Sequence, residues 1–297
     1  MLSKIEFFET KADRPDLTAE RERLLPVLRH HLQSSGRDVI VTPALGGTLG
    51  ICFDAKISGE RRFLKTHLPG AKARASLAKE ADLLLRLYGK AIVLDCFEIL
   101  LSDGSARLCL LMPTLAPLAA PMQPEAAAAM VRGWGEQLGN DRPETHVSFE
   151  QYLSCTARAL ATLSDRDLLE TGSATEVRGL IAQLEDRLAR LPRAVSHGDF
   201  GPKNIMVRGA EPLAIDWEDA FWGIAGYDYL YWLTFMENRP FLQSAAFGRT
   251  ALGPDMERAI LVLVVVLKSY LAVCSGAYLD HAVPVQARIS EILDLPN

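Results

Sequence analysis

Along the chain, the spacing of apolar positions changes near residue 39 and again near residue 113. Residues 17–33 carry apolar side chains at helical spacing, interrupted by Pro26, and predict a short helix or helix pair. From residue 39 the pattern shortens to that of strands. Residues 39–44, 51–57 and 61–66 read as strands, separated by the glycine-rich Gly46-Gly47-Thr48-Leu49-Gly50 and by the turn Ser58-Gly59-Glu60. Residues 71–87 are strongly helical, with Leu77, Leu84 and Leu87 on or near one face. Residues 91–100 and 106–112 add two strands around a turn at Asp103-Gly104. The first part is thus expected to be a five-stranded antiparallel sheet with one helix inserted after the third strand.

A Pro/Ala-rich connector at 113–124 separates this part from a mostly helical one. Helical patterns cover roughly 123–139, 148–164, 174–190, 224–236, 239–247, 255–279 and 283–293. A compact strand-and-loop section lies at 194–218. The strongly apolar run at 259–267, between Arg258 and Lys268, is far shorter than the roughly 20 residues of a membrane span and reads as a buried helix. No repeat or low-complexity tract interrupts the chain.

Composition narrows the class. The chain has 297 residues, 49% hydrophobic and 23% charged, which excludes disorder over most of its length and a disulfide-dense scaffold. A net charge of -5 argues against a dedicated nucleic-acid binder. It divides as +3 over residues 1–115 and -8 beyond. Cys52, Cys96, Cys109, Cys155 and Cys274 are odd in number, widely spaced and without a C-x-x-C pair, as expected of reduced thiols in the cytoplasm. The charged start of the chain does not read as a signal peptide. Neither a membrane nor a nucleic-acid partner is indicated.

The candidate chemistry lies in Ala194-Val-Ser-His-Gly-Asp-Phe-Gly-Pro-Lys-Asn-Ile-Met-Val207 and in Leu213-Ala-Ile-Asp-Trp-Glu218. Asp216 ends a strand-like run, where a buried carboxylate needs a cation or hydrogen bonds. A Mg²⁺ ion would satisfy Asp216 and the side-chain oxygen of Asn204 together, completing its shell with phosphate and water. Asp199 is then left to orient a hydroxyl and accept its proton.

These motifs, His197-Gly198-Asp199 with Asn204 and Ile215-Asp216-Trp217-Glu218, make the chain resemble the aminoglycoside phosphotransferase and choline kinase family over about residues 39–297. The resemblance implies an α+β, bilobal protein-kinase-like fold: a small antiparallel-sheet N-lobe with one helix and a larger, mostly helical C-lobe. The expected divisions are an N-terminal helical extension packed on the N-lobe (1–38), a nucleotide-binding lobe (39–113) and a catalytic and substrate-binding lobe (114–297). It also implies a nucleoside triphosphate donor, ATP or GTP, with Mg²⁺ as cofactor and a hydroxylated small molecule as acceptor. Asp199 becomes the base, with Asn204 and Asp216 as metal ligands. Gly46, Gly47 and Gly50 would let backbone N–H groups approach the phosphates. Lys65 would contact the α- and β-phosphates, with Glu80 as its partner. Met112, Thr114 and Leu115 fit the hinge that receives the base of the nucleotide.

Several positions depart from kinase patterns. Gly198 stands where protein kinases carry arginine, and only eleven residues separate Asp216 from Asp228, too few for a long activation segment. Both favour a small-molecule kinase. Asp228 is expected to bond the catalytic loop, and His197 to orient it. Lys203, Glu218, Asp219 and Trp222 are the candidate acceptor residues, with Glu291 and Asp294 near the C-terminus as further acidic candidates. Seven aromatics between Trp217 and Trp232 either line an acceptor pocket suited to an amine or pack the core. A nucleotide-binding scaffold without turnover is the rival reading, as is a kinase of a sugar or amino-acid metabolite.

Overall fold

Five strands in the first part pair antiparallel into one sheet. The computed structural model describes residues 1–9, 16–34, 36, 38–44, 50–145, 147–276 and 283–296. Its first part contains α1 (Leu2–Glu9), α2 (Leu17–Gln33), β1 (Val39–Pro43), β2 (Gly50–Ile57), β3 (Glu60–His67), α3 (Ala71–Tyr88), β4 (Asp95–Leu100) and β5 (Ala106–Pro113). The strands are ordered β1-β2-β3-β5-β4. The register sets Cys52 and Leu110 beside Lys65, so Lys65 sits on a central strand. α2 covers the sheet, burying Leu24 and Leu28 against Val41, Phe53 and Leu64.

The second part holds β6 (Ala116–Pro117), α4 (Pro124–Leu138), α5 (Phe149–Asp165), α6 (Thr171–Arg187), β7 (Arg193–Ser196), β8 (Ile205–Arg208), β9 (Glu211–Ala214), β10 (Phe221–Ile224), α7 (Tyr227–Leu233), α8 (Leu242–Ala245), α9 (Pro254–Ser275) and α10 (Val285–Leu293). α9 is its central element. Residues 259–267 are all buried, and α1, α5, α6, α7 and α10 pack around it. By length and composition α9 would also suffice to cross a bilayer, but here it is the core. Each fully buried Leu, Ile or Val there contributes about 1.5–3 kcal/mol.

Of the two readings for residues 17–33 the single helix is the one formed: α2 runs through Pro26, which faces solvent, where water can serve the carbonyl its ring leaves unpaired. The structure corrects three other expectations. The fourth strand begins at Asp95, not at 91, because a 3-10 turn at Gly89–Ala91 ends α3 and Ile92 and Val93 turn into the core. The helix expected from 224 begins at Tyr227, because residues 221–224 pair with β7 as a strand. α1, which the pattern did not predict, leaves the sheet. Its Met1, Leu2 and Ile5 bury themselves in the second part's core, so α1 packs along α9 while α2 packs on β1.

Candidate active site

The β8–β9 hairpin brings the two motifs together. Its register pairs Ile205 with Ala214, and the Ile215 N–H donates to the Asn204 carbonyl at 2.9 Å. Asn204 and Asp216 therefore lie at the same end of the hairpin. Asp216 has a left-handed φ of 68°, a conformation that short polar residues tolerate best. The Asn204 amide donates to the Asp199 carbonyl at 2.8 Å, which leaves its side-chain oxygen available for a ligand.

The loop carrying Asp199 is held from below. Asp228 accepts the N–H groups of His197 (2.7 Å) and Gly198 (3.0 Å), the loop-bonding role expected of it. Burial pushes its carboxyl up to about 7 despite those two bonds. His197 donates from Nε2 to the Ile215 carbonyl at 2.9 Å and accepts the Asp199 N–H at Nδ1, so it orients the loop as a neutral ring. Burial holds its pKa below the usual value. Gly198 has φ 81°, and a Cβ there would lie 2.3 Å from the Asp219 carbonyl oxygen. Only glycine fits, which explains the missing arginine.

Asp199 is 14% exposed and fully engaged. Tyr231 donates to Oδ1 at 2.5 Å and Lys4 to Oδ2 at 2.5 Å. Burial would raise its pKa, but Lys4 and these hydrogen bonds outweigh it and hold the carboxyl down at about 2. The sequence marks Tyr231 only as one of an aromatic cluster, and Lys4 carries no sequence signal. Most of that cluster is core: Trp217, Phe221, Tyr227, Tyr229 and Trp232 are buried, with only the Tyr231 hydroxyl turned to the site.

Across the cleft, Lys65 Nζ lies 2.7 Å from Glu80, 3.1 Å from Glu218, and also pairs with Asp216. Burial disfavours the ammonium, but three carboxylates raise its pKa well above normal. Burial and Asp216 push Glu218 up to about 8. One oxygen of Glu80 is buried without a hydrogen-bond partner. Glu80, Asp216 and Glu218 offer oxygens within 4.8 Å of one another around a single lysine. This oxygen-rich, electron-surplus donor set fits a hard divalent cation such as Mg²⁺. Gly50 opens β2 directly over Lys65, where a Cβ would lie 3.0 Å from the lysine Cε. A cavity of about 570 Å³ beside them is lined by Gly50, Lys65, Glu218 and Ser76.

Other candidates fall elsewhere. Gly46 and Gly47 lie outside the described residues. Met112 is buried at the end of β5, and Thr114 and Leu115 follow beyond the strand. Lys203 is exposed on a 3-10 turn. Glu218 faces Lys65 rather than an acceptor pocket, because its carboxylate is drawn to the ammonium. Asp219 is buried and paired with the Met1 nitrogen. Trp222 is not at the site: its strand pairing sends the indole under the Arg142 guanidinium, 5.1 Å away. Glu291 pairs with Arg239 at 2.8 Å, and Asp294 caps α10.

A sequence model of the phosphotransferase enzyme family (APH) matches residues 53–261. The chain belongs to this family. It is a phosphotransferase with an alcohol group as acceptor. Solved structures agree on the kinase-like fold. The aminoglycoside phosphotransferase APH(4)-Ia superposes with a TM-score of 0.59 at 14% identity, covering 92% of this chain and 99% of its own. Spectinomycin phosphotransferase APH(9)-Ia gives 0.55 at 12% identity over 92% and 98%. The choline kinase LicA from Streptococcus pneumoniae gives 0.52 at 15% identity over 91% and 97%. A search of curated proteins finds no match.

Proposed function

We infer that this protein transfers the γ-phosphoryl group of ATP or GTP, in the presence of Mg²⁺, to a hydroxyl of a small and cationic acceptor. The observation that carries this reading is the Asp199 carboxylate, held by a loop bonded to Asp228 and His197 and set beside the hairpin end that bears Asn204 and Asp216. In this reading residues 39–113 grip the nucleotide and residues 114–297 bind the acceptor. Lys65, fixed by Glu80, holds the α- and β-phosphates, and Gly50 gives the phosphates backbone access. Met112, Thr114 and Leu115 border the base of the nucleotide.

Asn204 and Asp216, with Glu218 behind them, would hold the metal. When bound, the metal neutralises charge on the phosphates. Asp199 orients the acceptor hydroxyl. As its oxygen bonds to the γ-phosphorus, the hydroxyl proton passes to Asp199 and the bond to the β-phosphate oxygen breaks, releasing the nucleoside diphosphate. The protein contributes mainly positioning and electrostatics. The surplus of -8 beyond residue 115 favours a cationic acceptor. Spectinomycin phosphotransferase was captured with ADP and spectinomycin, which supports the same donor class here.

The test is a product search. Mg·ATP and Mg·GTP are incubated with hydroxylated amines, antibiotics and sugars, and products are read by mass spectrometry. One acceptor should gain a phosphoryl group. Failure of both nucleotides to bind would overturn the reading.

A further inference from the structure

α1 ends inside the cleft that the catalytic loop faces, and it occupies the proposed base. Lys4 takes one oxygen of Asp199 and Tyr231 the other, while the Asn204 amide stands 3.5 Å from the oxygen Lys4 holds. A base must come within about 2.6–3.2 Å of the hydroxyl it deprotonates. The position that an acceptor hydroxyl needs is filled by the Lys4 ammonium.

The rest of α1 reinforces this. The Met1 nitrogen pairs with Asp219 and approaches the Gly198 carbonyl at 3.4 Å, so the helix lies against both the catalytic loop and the turn after Asp216. Leu2 and Ile5 are buried. The 570 Å³ cavity beside Lys65 and Glu218 stops at this helix: Ser3, Glu6 and Phe7 wall it, and Asp199 does not line it. α1 thus separates the space beside Lys65 from the base.

The helix is also suited to leave. It has eight residues, too few to be stable as an isolated helix, so it holds its shape only while docked. Its far end is fastened by Glu9, which accepts from Arg158 (3.1 Å) and from the Tyr270 hydroxyl (2.5 Å).

We propose that α1 is a built-in occupant of the acceptor site, with Lys4 closing Asp199 in the resting chain, and that phosphoryl transfer requires this helix to undock. The proposal rests on Asp199 being the base.

The test uses the full chain as wild type, Lys4→Met, Lys4→Arg and Lys4→Met/Asp199→Asn. Two quantities are measured: Mg²⁺-dependent hydrolysis of ATP and GTP with water as acceptor, and amide hydrogen exchange over residues 2–9. Lys4→Met should raise hydrolysis by about tenfold or more and speed exchange in α1, because a charge-assisted bond is lost. Lys4→Arg keeps the ion pair and should match wild type, which separates the effect from misfolding. Faster exchange without faster hydrolysis would overturn the proposal, as would no change in either. A fall in hydrolysis would overturn it too, making Lys4 a positioning residue of the reaction. If the double variant hydrolyses as fast as Lys4→Met, or if nucleotide does not bind, the base assignment itself has failed and the proposal falls with it.

Discussion

Lys65 is the residue on which the cleft depends. It is buried among Glu80, Asp216 and Glu218, so removing it leaves carboxylates without a cation. Lys65→Met should therefore destabilise the fold by about 3–5 kcal/mol at pH 8, read from denaturant unfolding. The loss should shrink toward pH 5, where protonation can neutralise the stranded carboxylates; a pH-independent loss would contradict this account. His197 gives a second residue-scale test. Its folded pKa is depressed by burial, whereas the unfolded chain takes up a proton near about 6.5. The unfolded state thus binds more protons below that pH. Acidification from pH 7 to 5 costs stability through this residue, by up to about 1.4 kcal/mol per pH unit. Imidazole nitrogen shifts should report the neutral Nε2–H form throughout, and titration of His197 near 6.5 would refute the assignment. The meeting of Asp199, Asn204 and Asp216 was legible because their spacing lies within one hairpin and its flanking loops. Tyr231 and Lys4 were not, because they reach Asp199 from 32 and 195 residues away.

At the scale of elements, α2 carries an avoidable defect. Pro26 lies inside the helix on its solvent side. Pro26→Ala should stabilise the protein by about 2 kcal/mol, after the greater freedom of the unfolded chain is allowed for, measured by denaturant unfolding. The strands of the first sheet were readable because β2 and β3 are closed by a short turn and β4 and β5 by another. α1 and β10 were not readable. The sequence of α1 shows little amphipathic bias, and its helix forms where Leu2 and Ile5 meet the core beside α9. β10 fell between the strand-and-loop section ending at 218 and the helix expected from 224, and its residues form a strand because β7 offers an edge to pair with.

At the scale of the molecule, the two parts meet through the site itself. Lys65 and Glu80 come from the sheet and α3, while Asp216 and Glu218 come from the hairpin and the turn after it. α3 adds Lys79, whose ammonium donates to the Ala220 carbonyl at 2.6 Å across the same junction. The two-lobe plan was legible from the change in periodicity and the connector at 113–124. The placement of α1 across the cleft was not, because it follows from docking rather than from local pattern. The central claim is that this cleft performs phosphoryl transfer through Asp199. The measurement that tests it most directly is Mg·ATP and Mg·GTP turnover of wild type beside Asp199→Asn, with nucleotide affinity measured on the same samples. Turnover should fall by about 10²–10⁴ in the variant while nucleotide affinity is retained. Equal turnover in the two proteins would contradict the account.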